Sequence, residues 1–303
     1  MLIRREVIVW KGELMSPKKE KSKKLIQTAS RTVSPCDFLD YRLYLATLYA
    51  YMKGHTKPYN YNLFAEDLGF SGTNIMHQII NKHRNLSSKA AQKIIAALLL
   101  DKKEKKYLLA LVEYCNSKHN KKHEHFNKLL DIKKEVVSSE LDRDMLEYFS
   151  CWYHPVIREM VGLNKTKSDA VWISENIIPS LPLEKVEESL SLLSRLGFVV
   201  YDAELEQYIQ AQERVSTGSK VKGMGLLSYH QQMLDLSKKS LTQTQAKRRN
   251  INAVTVSCSE EVAQQLKAKI NMFLLELLDT AESSEEKDQV YQINMQLFPF
   301  TEK

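Results

Sequence analysis

Residues 60–80 read Asn60-Tyr-Asn-Leu-Phe-Ala-Glu-Asp-Leu-Gly-Phe-Ser-Gly-Thr-Asn-Ile-Met-His-Gln-Ile-Ile80, and this stretch decides the fold of the N-terminal third. Two helices that cross at a sharp turn need a small side chain where their axes meet, and Ala65 supplies it. Four positions on, Gly69 supplies a backbone tolerant of positive φ. Leu68 and Phe70 flank the turn as core residues, Ser71 stands where it can cap the second helix, and Ile75 falls where that helix packs back on the first. The pattern predicts a helix-turn-helix, with short helices around 62–68 and 72–81. The remaining face of the second helix, Thr73, Asn74, His77 and Gln78, is short and polar and suits the reading of base edges in the major groove. Ser71, Lys82, His83, Arg84 and Asn85 are placed for the phosphate backbone, whose contacts set register while base contacts specify.

Outward from this motif the pattern stays helical. Phe38, Tyr41, Leu45, Leu48, Tyr49 and Met52 recur at three and four, one apolar stripe over Asp37–Met52. Ser87 and Ser88 are N-cap candidates for a helix through Lys89–Leu99, and another covers about 102–115, where Leu108, Leu111 and Val112 share a face. Residues 35–115 thus read as a helix-turn-helix domain. Residues 116–139 are polar and read as a helical linker.

Residues 140–216 read as a second, winged-helix-like unit: helices at 141–162 and 168–178, then one striped by Leu183, Val186, Leu190, Leu193 and Leu196, then strands Phe198–Tyr201 and Gln207–Gln212. Tyr148, Phe149, Trp152 and Tyr153 are expected in its core. The third of these helices carries Glu184, Glu187 and Glu188, which phosphates would repel, so a protein contact or sensing role is expected there. In residues 217–303 a helix at about 226–241 follows a glycine-containing hinge. Ile251–Cys258 then alternates, Ser259 caps a helix with Val262, Leu266, Ile270, Phe273, Leu274 and Leu277, and Val290–Phe298 alternates again. That order predicts a β-α-β module. The whole is expected to be mainly α with minor β (α+β).

Composition narrows the classes. Glycine is scarce, 9 of 303 residues, against an average of about 7%. The longest wholly apolar run is Ile94–Leu100, far short of the roughly 20 residues that span a bilayer. Cys36, Cys115, Cys151 and Cys258 lie far apart without a C-x-x-C pair, which points to a reducing cytoplasm. Residues 1–34 hold nine Lys/Arg against three acids, 35–114 eleven against seven, and the remainder 24 against 27, returning the net +7. The positive charge therefore belongs to the first third and suggests a polyanion partner. Residues 1–34 read as a basic disordered tail, in which Met15 opens the run Met-Ser-Pro-Lys-Lys-Glu-Lys-Ser-Lys-Lys; 1–14 is either an extension or a mis-assigned start.

Several weaker signals are set aside. Cys115, His119 and His123 recur every four residues, but His123-Glu-His125 is not an H-E-x-x-H site, and no metal is expected. Gly218-x4-Gly223 lacks the phosphate lysine, Met224 standing in its place. No G-x-S-x-G elbow or acid/base constellation is present, so neither catalysis nor a cofactor is expected.

The runs Phe38-Leu-Asp-Tyr-Arg-Leu-Tyr-Leu, Phe64-Ala-Glu-Asp-Leu-Gly-Phe-Ser and Arg84-Asn-Leu-Ser resemble the N-terminal signature of a bacterial family with a lambda-repressor-like helix-turn-helix and a large C-terminal domain of unknown function. Leu111-Val-Glu-Tyr, Leu193-Ser-Arg-Leu-Gly-Phe and Val290-Tyr-Gln-Ile-Asn-Met-Gln-Leu-Phe-Pro-Phe extend the resemblance over roughly 34–300. It implies a transcriptional regulator. The chain departs from the pattern at Lys82, where a glycine is usual, and at Gln78, where an apolar residue is usual. The expectation is a nucleoid-associated DNA-binding regulator, a homodimer on double-stranded DNA, with the C-terminal region dimerising it or coupling it to an effector or protein partner. The alternative is a non-enzymatic interaction scaffold that keeps the helix-turn-helix fold.

Overall fold

The computed structural model describes residues 17–72, 74–163, 168–211 and 219–301. Among them the protein is mainly helical, with one two-stranded sheet. It divides into two units, Met1–Val137 and Ser138–Lys303. No helix among the described residues is long and apolar enough to cross a membrane.

The first unit holds α1 (Pro17–Thr32), α2 (Tyr41–His55), α3 (Tyr61–Asp67), α4 (Ile75–Ile80), α5 (Ser88–Leu98), α6 (Lys102–Asn116) and α7 (His119–Val136). Several of its helix starts are set by short polar caps. The Asp40 side chain accepts from Arg42 N, Ser87 Oγ accepts from Ala90 N, and Asp101 with Glu104 closes a capping box. Four residues of the predicted stripe are core, Tyr41, Leu45, Leu48 and Met52, joined by Tyr44, which the stripe did not include, while Phe38 and Tyr49 are half-buried.

Two expectations for this unit are corrected. Residues 17–32 are not a disordered tail but α1, which buries Ile26, Ala29 and Ser30. Ser30 Oγ donates to Leu98 O at 2.9 Å, and Ser22 Oγ donates to Asp67 Oδ2 at 2.7 Å. The lysines crowd the first half of this helix and hide a short apolar stripe behind them. The tail residues 1–16 lie outside the described residues. Nor is 116–139 a linker. The α7 helix buries Phe126, Leu129, Leu130 and Ile132 and packs on α6, with the Phe126 ring 5.4 Å from Tyr114. Its polar composition belongs to the solvated face, where Lys106–Glu135 and Lys128–Glu113 pair.

The second unit holds α8 (Glu140–Tyr148), α9 (Tyr153–Val161), α10 (Ala170–Asn176), α11 (Leu183–Arg195), strands β1 (Val199–Asp202) and β2 (Gln207–Gln210), α12 (Ser219–Gln243) and α13 (Glu260–Glu282). The single helix expected at 141–162 is two. Pro155 explains the break, because it has no N–H to give and its ring would clash with the Cys151 carbonyl, but it fits the first turn of a new helix. The hairpin is antiparallel, Val199 opposite Gln210 and Asp202 opposite Gln207. The core joins Met145, Ile157, Ile173, Val186, Leu190 and Leu193, and Phe149, Trp152, Tyr153 and Trp172 pack against it.

Two further corrections fall here. Gly223 and Gly225 are not a hinge but part of α12, and a Cβ on Gly225 would sit 2.8 Å from Phe149 Cβ and 3.2 Å from Leu146 O. That glycine lets α12 close on α8; the remainder of the expected hinge, 217–218, lies outside the described residues. The β-α-β module is the second. Its helix forms as α13 and is capped by Ser259 as expected, but 251–258 and 290–298 join no ladder. Alternation makes a strand only when a neighbour takes up its backbone groups, and none of the described residues does so here.

A polar clamp closes the first unit. The phenolic oxygen of Tyr41 accepts from the buried Leu86 N at 3.1 Å and donates to Asn116 Oδ1 at 3.1 Å, while Asn116 Nδ2 donates to Leu86 O at 2.8 Å. Burial raises the Tyr41 phenol above its ordinary value, so the hydroxyl stays neutral and able to donate. Tyr41→Phe leaves the Leu86 N–H unpaired and is expected to cost about 1–3 kcal/mol, read as a lower urea midpoint at constant m-value. An unchanged midpoint would show that the clamp adds nothing to stability.

Candidate nucleic-acid interface

The turn between α3 and α4 forms where the sequence places it. Asn60 caps α3, its side chain accepting from Asn62 N and Leu63 N. Phe64, Ala65 and Leu68 are buried, Gly69 has φ +80°, and Phe70 N donates to Ala65 O at 2.9 Å to close the turn. The α3 helix is held to α2 by rings: Tyr61 stacks on Tyr49 with centroids 4.0 Å apart, and Phe64 lies 5.6 Å from Tyr49.

The second helix is shorter than expected. It begins at Ile75, so Ser71 does not cap it; the N-cap is Asn74, whose side chain makes no cap hydrogen bond. Asn74 sits in the left-handed region, φ 67° and ψ 0°, which asparagine tolerates better than most residues. Its N–H donates to Asn62 Oδ1 at 3.0 Å. Met76 and Ile79, rather than Ile75, are the buried residues of α4, which leaves Ile75 half-buried. Gln78 is exposed, one turn from Asn74, whose carbonyl accepts the Gln78 N–H at 3.1 Å.

The expected site residues do not all share one role. Asn74 and Gln78 stand together on the open side of α4, and Lys82, His83 and Arg84 follow directly, all exposed. Ser71 is exposed in the turn before them. His77 is half-buried, its ring edge against Tyr61 at 5.1 Å, and is less free to reach outward. Asn85 is exposed but engaged within the unit, its Oδ1 accepting from Arg42 Nη2 at 2.7 Å. Thr73 lies outside the described residues.

The loop after α4 is shaped from within. Gln78 O accepts from both His83 N and Arg84 N, at 2.9 and 3.1 Å, so these two N–H groups are taken and a phosphate would be met by the side chains. Lys82 carries the turn at φ 65°, a conformation that glycine adopts more readily than lysine. Leu86 then anchors the loop in the Tyr41–Asn116 clamp. Arg42 completes the support: it also pairs with Asp40 and lies 4.4 Å from the Tyr41 ring centre. No helical period or motif marks Arg42, because its partner Asn85 is 43 residues away.

The second unit offers no comparable basic surface on α11. Glu184, Glu187 and Glu188 are exposed, Lys185 pairs with Glu188, and Arg195 makes a forked bond to Asp144 at 3.0 and 2.9 Å. The His154 ring is buried, its Nδ1 2.8 Å from Ser189 Oγ, joining α9 to α11. Cys115 Sγ lies 3.6 Å from Leu39 O, and the described residues hold no group of three His, Cys, Asp or Glu side chains arranged for a metal.

No curated protein and no solved structure matches the chain. A family model described as a domain of unknown function, DUF4423, matches residues 132–300, from the last turn of α7 through nearly all of the second unit. Over that length the chain belongs to the DUF4423 family.

Proposed function

We propose that the protein is a sequence-specific regulator of transcription that binds double-stranded DNA as a homodimer on the bacterial nucleoid, with the second unit serving dimerisation or signal sensing. The α3–α4 pair is read as a helix-turn-helix. The observation that supports this is one juxtaposition: Asn74 and Gln78, open and one turn apart on α4, followed directly by exposed Lys82, His83 and Arg84. Asn and Gln can each bond an adenine edge at two points, and such pairs discriminate by about 1–3 kcal/mol. The loop cations would neutralise phosphates and carry no sequence information. Two half-sites follow from the small size of the domain, which gives one copy limited contact area. The reading gives the chain no catalytic role.

Lys82 allows a test that separates folding from binding. Lys82→Gly relieves a left-handed lysine and is expected to raise stability by about 0.5–1 kcal/mol. At the same time it removes one phosphate contact from each copy, so for the dimer the slope of log affinity against log salt should shallow by about 1.8. Arg84→Ala should shallow the slope similarly and weaken all duplexes alike. Lys21→Ala and Lys23→Ala on α1 are the controls. A slope that follows α1 and ignores the loop would overturn contact through α4. Unchanged binding in all four, with a stoichiometric, nuclease-insensitive protein partner, would favour the scaffold reading.

A further inference from the structure

Residues 250–300 hold two strand-patterned segments that none of the described residues pairs with. Ile251–Cys258 and Val290–Phe298 alternate and contain no charged residue. Strands that face water permanently are normally blocked by a lysine, a proline or a bulge. The two segments start side by side, Arg248 Nη2 donating to Gln289 Oε1 at 2.9 Å. Yet no backbone–backbone hydrogen bond among the described residues reaches either of them.

The second segment also presents its apolar face outward. Its polar residues turn toward α12: Tyr229 OH donates to Gln292 Oε1 at 3.1 Å, and Asn294 Nδ2 donates to Met233 O at 3.2 Å. By the two-residue period, Tyr291, Ile293, Met295 and Leu297 point the other way, and all four are exposed. A soluble chain normally has the reverse arrangement. In the first segment Val254 is 85% exposed.

The α13 helix is left equally open. It buries no side chain along 23 residues, while Met272, Phe273, Leu275 and Leu278 are exposed beside a half-buried stripe of Leu266, Ile270, Leu274 and Leu277. A helix apolar on this many sides is one that becomes covered. The exposed apolar side chains of 250–300 amount to roughly 1,500 Å² per chain, and covering about half of that on each of two copies would bury about 1,500 Å², the size of a standard specific interface.

We propose that residues 250–300 are one half of a two-fold interface with a second copy of this chain, whose extended segments complete the ladder of Ile251–Cys258 and Val290–Phe298 and whose α13 covers Met272, Phe273, Leu275 and Leu278. A second copy fits for three reasons. Each copy lacks what the other holds, and a two-fold axis lets a strand pair antiparallel with its own mate and closes the assembly at two. The strands have no charge with which to recruit an ionic partner. The charges on α13 are mixed but net acidic, which suits neither nucleic acid nor an anionic membrane. The inference rests on the dimeric part of the reading above and is independent of DNA contact through α4.

The test is sedimentation equilibrium of the full chain without DNA, at about 10 μM, since dimer mass depends on concentration. The expected mass is twice 35.1 kDa. Ile293→Pro removes a ladder donor and Leu275→Asp places a charge in the interface; both positions are exposed in the single chain, so helical circular dichroism should hold while the mass halves. A monomeric wild type, a doubled mass retained in both variants, or open-ended higher masses would each overturn the interface. A monomer that still binds duplex DNA through α4 would sink the interface and spare the regulator; a dimer blind to DNA would do the opposite.

Discussion

The Leu86 backbone is buried between α2 and α6, and both of its polar groups are taken by side chains, its N–H by Tyr41 and its carbonyl by Asn116. A loop that turns inward carries backbone groups that must find partners, and here two residues 75 apart supply them. Everything between α4 and α5 hangs from that point. Because Leu86 cannot shift, the four residues before it must return along α4, which Lys82 permits by taking a left-handed turn and Gln78 fixes by accepting two N–H groups. The cations of the loop then lie beside the open face of α4 and cannot trail free of it. Arg42 does not add to this surface. It is spent on Asn85, Asp40 and the Tyr41 ring, and so holds the loop from behind.

What could be read from the chain was local. Gly69 at positive φ, the Ala65 crossing, the caps at Ser87 and Ser259 and the hairpin after Gly197 each depend on residues within a few positions of one another. The misses have a common cause. The composition of α1 and α7 is dominated by their solvated faces, so two packed helices look like tail and linker, although Ile26–Ala29 and Phe126–Leu129–Leu130 are helix-spaced stripes. Pro155 was the local mark of the α8–α9 break. Gly225 carries no local mark, since its small size matters only because Phe149 and Leu146 lie against it. Within the candidate site, Asn74, Gln78 and the loop cations were legible by spacing. The start of α4, the engagement of Asn85 within the unit and the support from Arg42 depend on contacts across the fold.

The C-terminal segments show a different limit. Alternation states that a stretch can be a strand, and two such stretches around a helix suggest a closed β-α-β unit. That inference takes for granted that the sheet is completed within one chain. Here the helix forms, the segments extend, and the outward alternation of Tyr291, Ile293, Met295 and Leu297 leaves the apolar side where a core should lie. The pattern is consistent at the level of the residue and incomplete at the level of the chain. The two-fold partner proposed above would account for both facts.

The account stands most directly on whether α4 reads sequence. Selection of the full-length protein on randomised duplex DNA at two salt concentrations, beside Asn74→Gly, tests this. Glycine keeps the left-handed backbone of Asn74 and deletes only its side chain, so a loss of selectivity is not confounded by strain. The account predicts an enriched palindrome for the wild type that survives at higher salt and disappears in the variant. Binding that enriches nothing and vanishes with salt would contradict it, and would reduce the basic first third to a nonspecific polyanion contact.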